Sequence, residues 1–185
     1  MKSSATIPIT IRRCTVEDAA TVAMLGARLF TETYGPTHPE PELSRYLARS
    51  FDVAGTREAI AASDVTMLLA EGDGAPVGYA FMRSSPVPPE GVHGTRVIEI
   101  VRFYVDGRVQ GRGVGAALMQ ECFSYALRDG ADMIWLQVWK EAPWAVGFYK
   151  RMGFSVVGSA AFYFGDQIGD DHIMAKEVQP LRSAP

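Results

Sequence analysis

Seven residues decide how this sequence folds: Gln-Gly-Arg-Gly-Val-Gly-Ala, residues 110–116. Gly111, Gly113 and Gly115 lie between an apolar stretch, residues 97–105, that predicts a strand and an amphipathic stretch that predicts a helix. Glycines at such a turn let backbone N–H groups approach a ligand closely. The following helix offers unpaired N–H groups and the positive end of its dipole, which together bind a pyrophosphate. The turn therefore predicts a phosphate-binding site, to which its arginine can add a charged contact.

The same glycines fit other interpretations. They can form a plain tight connection between a strand and a helix. A Walker loop requires Gly-x4-Gly-Lys-[Ser/Thr], which the sequence lacks. Gly111-x-Gly113-x-x-Ala116 satisfies the Rossmann pattern formally, but about a hundred residues precede it, and Asp132 stands before the next strand rather than after it. The plain connection stays open, and a dinucleotide site is disfavoured.

The composition is that of an ordinary folded protein. Hydrophobic residues make up 48% and charged residues 21%, with a formal net charge of -3. These values argue against disorder, and the missing basic excess argues against nucleic-acid binding. Cys14 and Cys122 are too few for a disulfide framework, and the scattered histidines form no metal-binding pattern. No stretch predicts a secretory signal or a membrane span, so we expect a cytoplasmic protein.

The order of predicted elements is β-α-α-α-β-β-β-α-β-α-β-β, a mixed sheet with helices packed on it. The pair Asp73-Gly74 predicts a hairpin turn between the second and third strands. The closing strands are predicted as short pieces over residues 156–159, 161–164 and 172–175. We expect a single domain over residues 1–178 and a disordered tail at 179–185.

Four segments together resemble the GNAT superfamily of acetyl-CoA-dependent N-acetyltransferases. The turn matches its [Gln/Arg]-x-x-Gly-x-[Gly/Ala] motif, and residues 99–105 resemble its fourth strand. Residues 135–139 resemble its fifth strand, and residues 145–154 match the signature Ala-x-x-Phe-Tyr-x-x-x-Gly-Phe. The resemblance implies an α/β (α+β) fold with a central, mostly antiparallel seven-stranded sheet, flanked by helices and splayed between the fourth and fifth strands. Within the superfamily, the segment looks most like the bacterial spermidine/polyamine-type branch.

The resemblance implies direct transfer of an acetyl group from acetyl-CoA to an amine, without a covalent enzyme intermediate. Glu99 occupies the family position of the base, and Tyr149 that of the acid that protonates the leaving sulfur. The alternatives are a structural carboxylate paired with Arg96 or Arg102, and a tyrosine that only packs on an apolar helix stripe. Further residues are predicted by resemblance to bind the cofactor: Phe103, Tyr104, Val105, Gln110, Gly111, Arg112, Gly113, Val114, Gly115, Ala116, Ala142, Phe148 and Tyr149.

Ala142 departs from the family pattern, which often has asparagine at this place. Because Pro143 follows it, Ala142 is predicted as the N-cap of the last helix. Alanine lacks the capping side chain, a loss of about 1 kcal/mol. It also removes a side-chain contact that the family makes to the cofactor.

The acceptor is the least determined partner. By resemblance, Phe30, Tyr34, Glu40 and Trp139 are predicted to line its pocket, where an acidic group would suit a polycation such as spermidine. Alternatively, Glu40 is a helix-start charge favoured by the helix dipole. We expect a small-molecule amine as partner, consider a homodimer as the assembly, and expect no nucleic acid, membrane or metal. The rival functions are acetylation of a protein lysine or N-terminus and non-catalytic acyl-CoA binding by the same fold.

Overall fold

The computed structural model describes residues 8–85, 87–164 and 167–178, apart from the side chain of residue 167. Its strands are β1 Ile9–Arg13, β2 Val65–Gly72, β3 Ala75–Ser84, β4 Val97–Val105, β5 Met133–Trp139, β6 Ser155–Phe164 and β7 Gln167–Glu177. Its α-helices are α1 Ala19–Tyr34, α2 Glu42–Ser50, α3 Val53–Ala61, α4 Val114–Arg128 and α5 Pro143–Arg151. The tail predicted at 179–185 lies outside the described residues.

The strands form one seven-stranded sheet in the order β1-β2-β3-β4-β5-β7-β6. β1 pairs antiparallel with β2, and β7 pairs antiparallel with both β5 and β6. β4 and β5 are parallel, and their register ends at Ile100 opposite Leu136 although both strands continue. This short ladder is the feature expected where the sheet splays. The predicted element order and the mixed, mostly antiparallel sheet are confirmed.

The chain separates into two compact units. The first unit combines the residues up to Phe81 with Arg102–Met119, and the second combines Met82–Val101 with the residues from Gln120 onward. The single domain expected over residues 1–178 stays a prediction. In the first unit, apolar side chains of α1 recur at helical spacing and pack on β2, because a helix buries the stripe that its sequence makes apolar. This core comprises Cys14, Val22, Leu25, Leu29, Val65, Met67, Leu69 and Tyr79.

The sequence predicts the turn between β2 and β3 correctly, but it predicts the closing strands β6 and β7 less well. Between β2 and β3, Asp73 and Gly74 have φ values of 52° and 74°, so the predicted Asp-Gly turn has both central residues in the left-handed region, as in a type I′ turn. The prediction for the closing strands was wrong in its boundaries. β6 is one strand with a register shift between Val156 and Gly158, and β7 begins at residue 167 rather than 172. β6 is the sheet edge and is largely exposed, so no alternation of apolar and polar residues marks it.

Candidate functional site

A buried carboxylate follows the end of β4 in the first unit. Asp106 is 1% exposed, and its oxygens accept hydrogen bonds from the Arg108 backbone N–H (2.9 Å), Arg108 Nη2 (2.6 Å) and Arg28 Nη2 (2.8 Å). The backbone N–H of Asp106 donates to Val77 O at 2.8 Å. The hydrogen bonds from Arg108, with those from Arg28, hold the pKa of Asp106 well below its usual value. These contacts fix the point where the chain leaves β4 and enters the glycine turn.

The glycine turn has the backbone that its sequence predicts. Gly111 and Gly113 have φ values of 76° and 86°, a region that favours glycine. A Cβ atom added at either position would meet no heavy atom within 4 Å. The first i to i-4 bond of α4 runs from the Ala117 N–H to Gly113 O (2.9 Å), so the N–H groups of residues 114–116 have no acceptor within the helix. Open space beside unpaired donors at a helix N-terminus fits a pyrophosphate.

Arg108, just before this turn, and Gln110, within it, are exposed, yet both are hydrogen-bonded. Arg108 is engaged by Asp106. Gln110 Nε2 donates to Val105 O at 3.3 Å, which ties the turn back to the strand. Arg112 is exposed, and within the described ranges no ion pair is found for it. Of Arg108 and Arg112, Arg112 is therefore the one that forms no ion pair within the described ranges.

The predicted acceptor residues Phe30 and Tyr34 belong to an aromatic cluster of the first unit. The Phe30 ring centroid lies 4.7 Å from that of Tyr46 and 4.9 Å from that of Tyr34. Tyr104, a predicted cofactor residue in the last part of β4 with Phe103 and Val105, is 6.5 Å from Phe30. Phe30 is 4% exposed, so most of its ring serves packing.

Glu40 lies at the start of α2, in the position of the helix-start charge that is its alternative interpretation. Its Oε2 accepts hydrogen bonds from the hydroxyl of Ser44 (2.7 Å) and from the Ser44 backbone N–H (3.3 Å) at the start of α2. A carboxylate in this place satisfies a donor of the first helical turn and interacts favourably with the helix dipole. The geometry favours this helix-start role over a contact with substrate.

In the second unit, Glu99 lies on β4 opposite Trp135 of β5. Its side chain is 13% exposed, and its Oε2 accepts a hydrogen bond of 2.7 Å from Arg83 Nε. The arginine partners named in the structural alternative were wrong. Arg96 binds Asp129, and the guanidinium of Arg102 lies over aromatic rings. Glu99 is bonded by Arg83 instead, because side chains alternate along β3 and β4 and Arg83 lies on the side of Glu99.

A capping motif holds Tyr149 at the end of α5. The Gly153 N–H donates to Lys150 O and the Phe154 N–H donates to Tyr149 O, each at 3.0 Å, which is a Schellman motif. The Phe154 ring packs on the Tyr149 ring at 5.8 Å, and Phe148 lies 5.4 Å from Tyr149. The Gly-Phe that closes the sequence signature therefore fixes the backbone and ring of Tyr149, which is 9% exposed.

Ala142 is the N-cap of α5, as predicted, and no side chain caps the helix there. Its N–H donates to Trp139 O (3.1 Å), and its carbonyl accepts from Val146 (3.0 Å). Ala142 is fully buried, so its methyl group packs in the unit and offers no polar contact.

Sequence reasoning missed one polar pair on the sheet of the second unit. Asp171 of β7 is 6% exposed and accepts a hydrogen bond of 3.1 Å from Gln137 of β5. Its other oxygen, Oδ1, has no partner among the described residues. The available signal was an aspartate before the apolar run Ile173–Ala175, but its partner follows only from the pairing of β5 with β7.

Comparisons with known proteins agree on one family. The sequence matches the acetyltransferase (GNAT) family over residues 27–154. It is 27% identical over 162 residues to an uncharacterized N-acetyltransferase of Mycobacterium tuberculosis, covering 87% of this chain and 98% of that protein. It is 28% identical over 151 residues to the mycothiol acetyltransferase of Saccharomonospora viridis, covering 80% of this chain and 45% of that protein.

Among solved structures, the PaiA N-acetyltransferase of Thermoplasma acidophilum in complex with coenzyme A superposes with a TM-score of 0.74 at 20% identity, covering 92% of this chain and 99% of that one. Such a likeness shows the fold. No helix in the described ranges is long and apolar enough to cross a membrane. Since the family match spans more than half of the chain, the chain belongs to the acetyltransferase (GNAT) family and is an acetyl-CoA-dependent N-acetyltransferase.

Proposed function

We propose that this enzyme acetylates a primary amine of a small molecule, with a polyamine such as spermidine as the first candidate. Glu99 carries the proposal: a half-buried carboxylate on β4, one oxygen of which is held by Arg83. An alkylamine has a pKa of about 10.4 and is mostly protonated at neutral pH, so it needs a base before it can attack a carbonyl. A carboxylate with one oxygen oriented and the other not hydrogen-bonded within the described part of the chain suits that task.

Backbone groups of the first unit supply the polar cofactor contacts in this proposal. Acetyl-CoA brings the acetyl group as a thioester. Backbone N–H groups of residues 114–116 would hold its pyrophosphate, and Arg112 would add a charged contact. The backbone of residues 103–105 would hydrogen-bond the pantetheine amides, which can lie along a strand as a peptide does. Phe148 stays a proposed cofactor contact, whereas Ala142 is fully buried and offers the cofactor no surface.

The proposed reaction uses the two ionisable side chains in opposite directions. Glu99, directly or through a water molecule, takes the proton of the amine whose nitrogen attacks the thioester carbon. The new C–N bond forms, the C–S bond breaks, and the Tyr149 hydroxyl gives its proton to the departing sulfur. Solvent then removes the proton from Glu99 and reprotonates Tyr149. The products are the N-acetylated amine and free coenzyme A.

Two rival functions differ from this proposal in acceptor or in chemistry. Acetylation of a protein lysine or N-terminus uses the same atoms on a larger acceptor. A non-catalytic acyl-CoA-binding protein would need neither Glu99 nor Tyr149. The mycothiol acetyltransferase among the relatives bears the name of a small molecule, which supports a small acceptor, and the Schellman motif that orients Tyr149 supports catalysis.

A coenzyme A release assay tests the proposal with acetyl-CoA and a panel of polyamines, amino acids, aminoglycosides and peptides. We expect turnover with a small amine and little with peptides. Tyr149→Phe should lower kcat about 100-fold or more, because the sulfur loses its proton donor, with unchanged affinity for coenzyme A. Tyr163→Phe removes a hydroxyl from a tyrosine that is 65% exposed and serves as the matched control. Binding of coenzyme A without turnover on any amine would favour the regulatory function, and an unchanged kcat in Tyr149→Phe would remove that residue from the acid role.

A further inference from the structure

The strand pairing of the second unit places Glu99 and Asp171 on the same side of the sheet. Glu99 lies opposite Trp135, and Trp139 lies opposite Asp171. Residues two apart on a strand share a face, and directly paired residues do as well. We call this side the Glu99 face; its members that matter here are Glu99, Trp135, Gln137, Trp139, Asp171 and Ile173.

Asp171 is a buried carboxylate that forms no ion pair within the described residues, although His172 and Lys140 partly offset, from a distance, the rise in its pKa that burial causes. It is 6% exposed, Gln137 gives it one neutral hydrogen bond, and its Oδ1 is left unpartnered within the described residues. Lys140, which could neutralise it, is bonded to Asp170 at 2.6 Å. Burial accordingly raises the pKa of Asp171. Stability gives no reason to keep such a group, because a buried unpaired carboxylate costs free energy.

A second buried polar atom on the same face also lacks a partner. Trp135 is 8% exposed, and its indole Nε1 finds no acceptor in the part of the chain that the structure describes. Trp135 is paired with Glu99 across the sheet, whereas Asp171 is paired with Trp139, four residues farther along β5. Gln137, between these two pairs and bonded to Asp171, is exposed, so solvent reaches the face beside the carboxylate. Native structures contain few buried polar atoms without a hydrogen-bond partner, so two on one face call for an explanation, such as a bound ligand or water.

We propose that Asp171 binds a second, non-reacting cationic group of the acceptor, so that the enzyme selects long diamines and polyamines over monoamines. This inference rests on the proposed function. The reacting nitrogen itself is not the partner of Asp171, because a carboxylate beside an ammonium stabilises its protonated form, and a protonated amine cannot attack the thioester. An incoming ammonium donates to the unpartnered Oδ1 and supplies the charge that Asp171 lacks, while Gln137 keeps its bond to Oδ2.

The register also sets the length of the acceptor. Trp135 and Trp139 are four residues apart on β5, which corresponds to roughly 13 Å along the strand. β4 and β7 flank β5, which adds roughly 10 Å across the sheet. Glu99 and Asp171 therefore lie on the order of 15 Å apart at their Cα atoms. A short diamine cannot place one nitrogen near each carboxylate, whereas an extended polyamine can.

The test compares diaminooctane, diaminopropane and octylamine as acceptors of the wild-type enzyme, of Asp171→Asn and of Asp73→Asn. We expect the wild type to have a lower KM for diaminooctane than for the other two. Asp171→Asn should raise the KM for diaminooctane about 10- to 100-fold, the usual loss for a charge-assisted hydrogen bond, and leave octylamine within about twofold. Asp73→Asn is the matched control, because it removes an exposed carboxylate at the turn between β2 and β3 and leaves the ion pair of Lys140 with Asp170 intact.

Calorimetric titration of diaminooctane into the coenzyme A-bound protein gives a readout that does not depend on turnover. Binding that Asp171→Asn abolishes, without turnover in the wild type, would support the Asp171 site and overturn the proposed activity. Turnover of diaminooctane that Asp171→Asn leaves unchanged would overturn the Asp171 site and keep the activity. The wild-type comparison stands on its own should the variant fold poorly, since equal KM values for diaminooctane and octylamine would contradict the inference.

Discussion

Two buried aspartates of this protein have opposite surroundings. Asp106, in the first unit, is 1% exposed and has both oxygens bonded to arginines, which lower its pKa. Asp171, in the second unit, is 6% exposed, has a single neutral donor and an unpartnered oxygen, and its pKa is raised by burial. The first carboxylate is a structural anchor for the turn that follows it. The second has one neutral hydrogen bond and no ion pair within the described residues, as the proposed binding of a cationic ligand requires.

The same contrast separates the two regions around these residues. The glycine turn after Asp106 is held by its own hydrogen bonds and presents a preformed set of backbone donors. The Glu99 face contains two buried polar atoms, Asp171 Oδ1 and Trp135 Nε1, that have no hydrogen-bond partner within the described residues. A cofactor shared by a whole family can be bound by backbone atoms, whereas an acceptor that differs between members must be selected by side chains.

The largest expected effect separates cofactor binding from folding. Gly113→Asp should abolish coenzyme A binding, because it places bulk and negative charge at the pyrophosphate position and forces a side chain into φ 86°. Gly74→Asp is the matched control, since Gly74 also has a positive φ, 74°, and open space around it. Titration calorimetry with coenzyme A should show loss of binding in the first variant and wild-type affinity in the second. Retained affinity in Gly113→Asp would contradict the assignment of the turn.

The next effect is that substitution of the two aspartates changes the free energy of unfolding in opposite directions. Asp106→Asn should lower the free energy of unfolding at neutral pH by about 1–3 kcal/mol, because a buried acceptor of charge-assisted hydrogen bonds loses its charge. Asp171→Asn should raise it, because the substitution removes an unpaired buried charge and keeps an oxygen for Gln137. Denaturant titrations of both variants measure the two values. Destabilisation of similar size in both would show that Asp171 is an anchor like Asp106, and the comparison would fail.

The smallest effect is the pH dependence of the differences in free energy of unfolding between the two variants and the wild type. In the unfolded chain both carboxyls titrate at about 3.9. The folded pKa of Asp106 is lower, so its stabilisation is present above about pH 4 and is lost as the pH falls through the folded pKa. The folded pKa of Asp171 is higher, so its cost appears as the pH rises above about 4 and through the folded pKa. Both variants should therefore converge on the wild type in acid, from opposite sides, when unfolding is measured from pH 7 downward. A stability difference that stays constant with pH would show that charge is not its cause.

The sequence predicts those parts of the structure that depend on residues close together in the chain, and it predicts the other parts less well. β4 has the predicted boundaries, because its apolar pattern is local and strong. The glycine turn and the Gly-Phe signature also follow from local backbone chemistry, left-handed glycines and a Schellman motif. The edge strand β6 has no such pattern and was divided wrongly.

Side-chain partners were harder to predict than elements. Arg83 for Glu99 and Gln137 for Asp171 both depend on the register between strands, which no local pattern encodes. Glu40 was assigned to substrate by its charge, although its bonds to Ser44 at the start of α2 explain it better. The acceptor side was therefore the part of the site that sequence reasoning reached least, since it is built from pairs distant in the chain.

We propose that this chain moves the acetyl group of acetyl-CoA to a nitrogen of a small amine, and mass spectrometry of a reaction with spermidine tests that proposal. We expect one acetyl group added to spermidine and an equal amount of free coenzyme A. Coenzyme A bound by the protein without acetylated amine, or acetyl-CoA hydrolysed to acetate while spermidine stays unmodified, would contradict it.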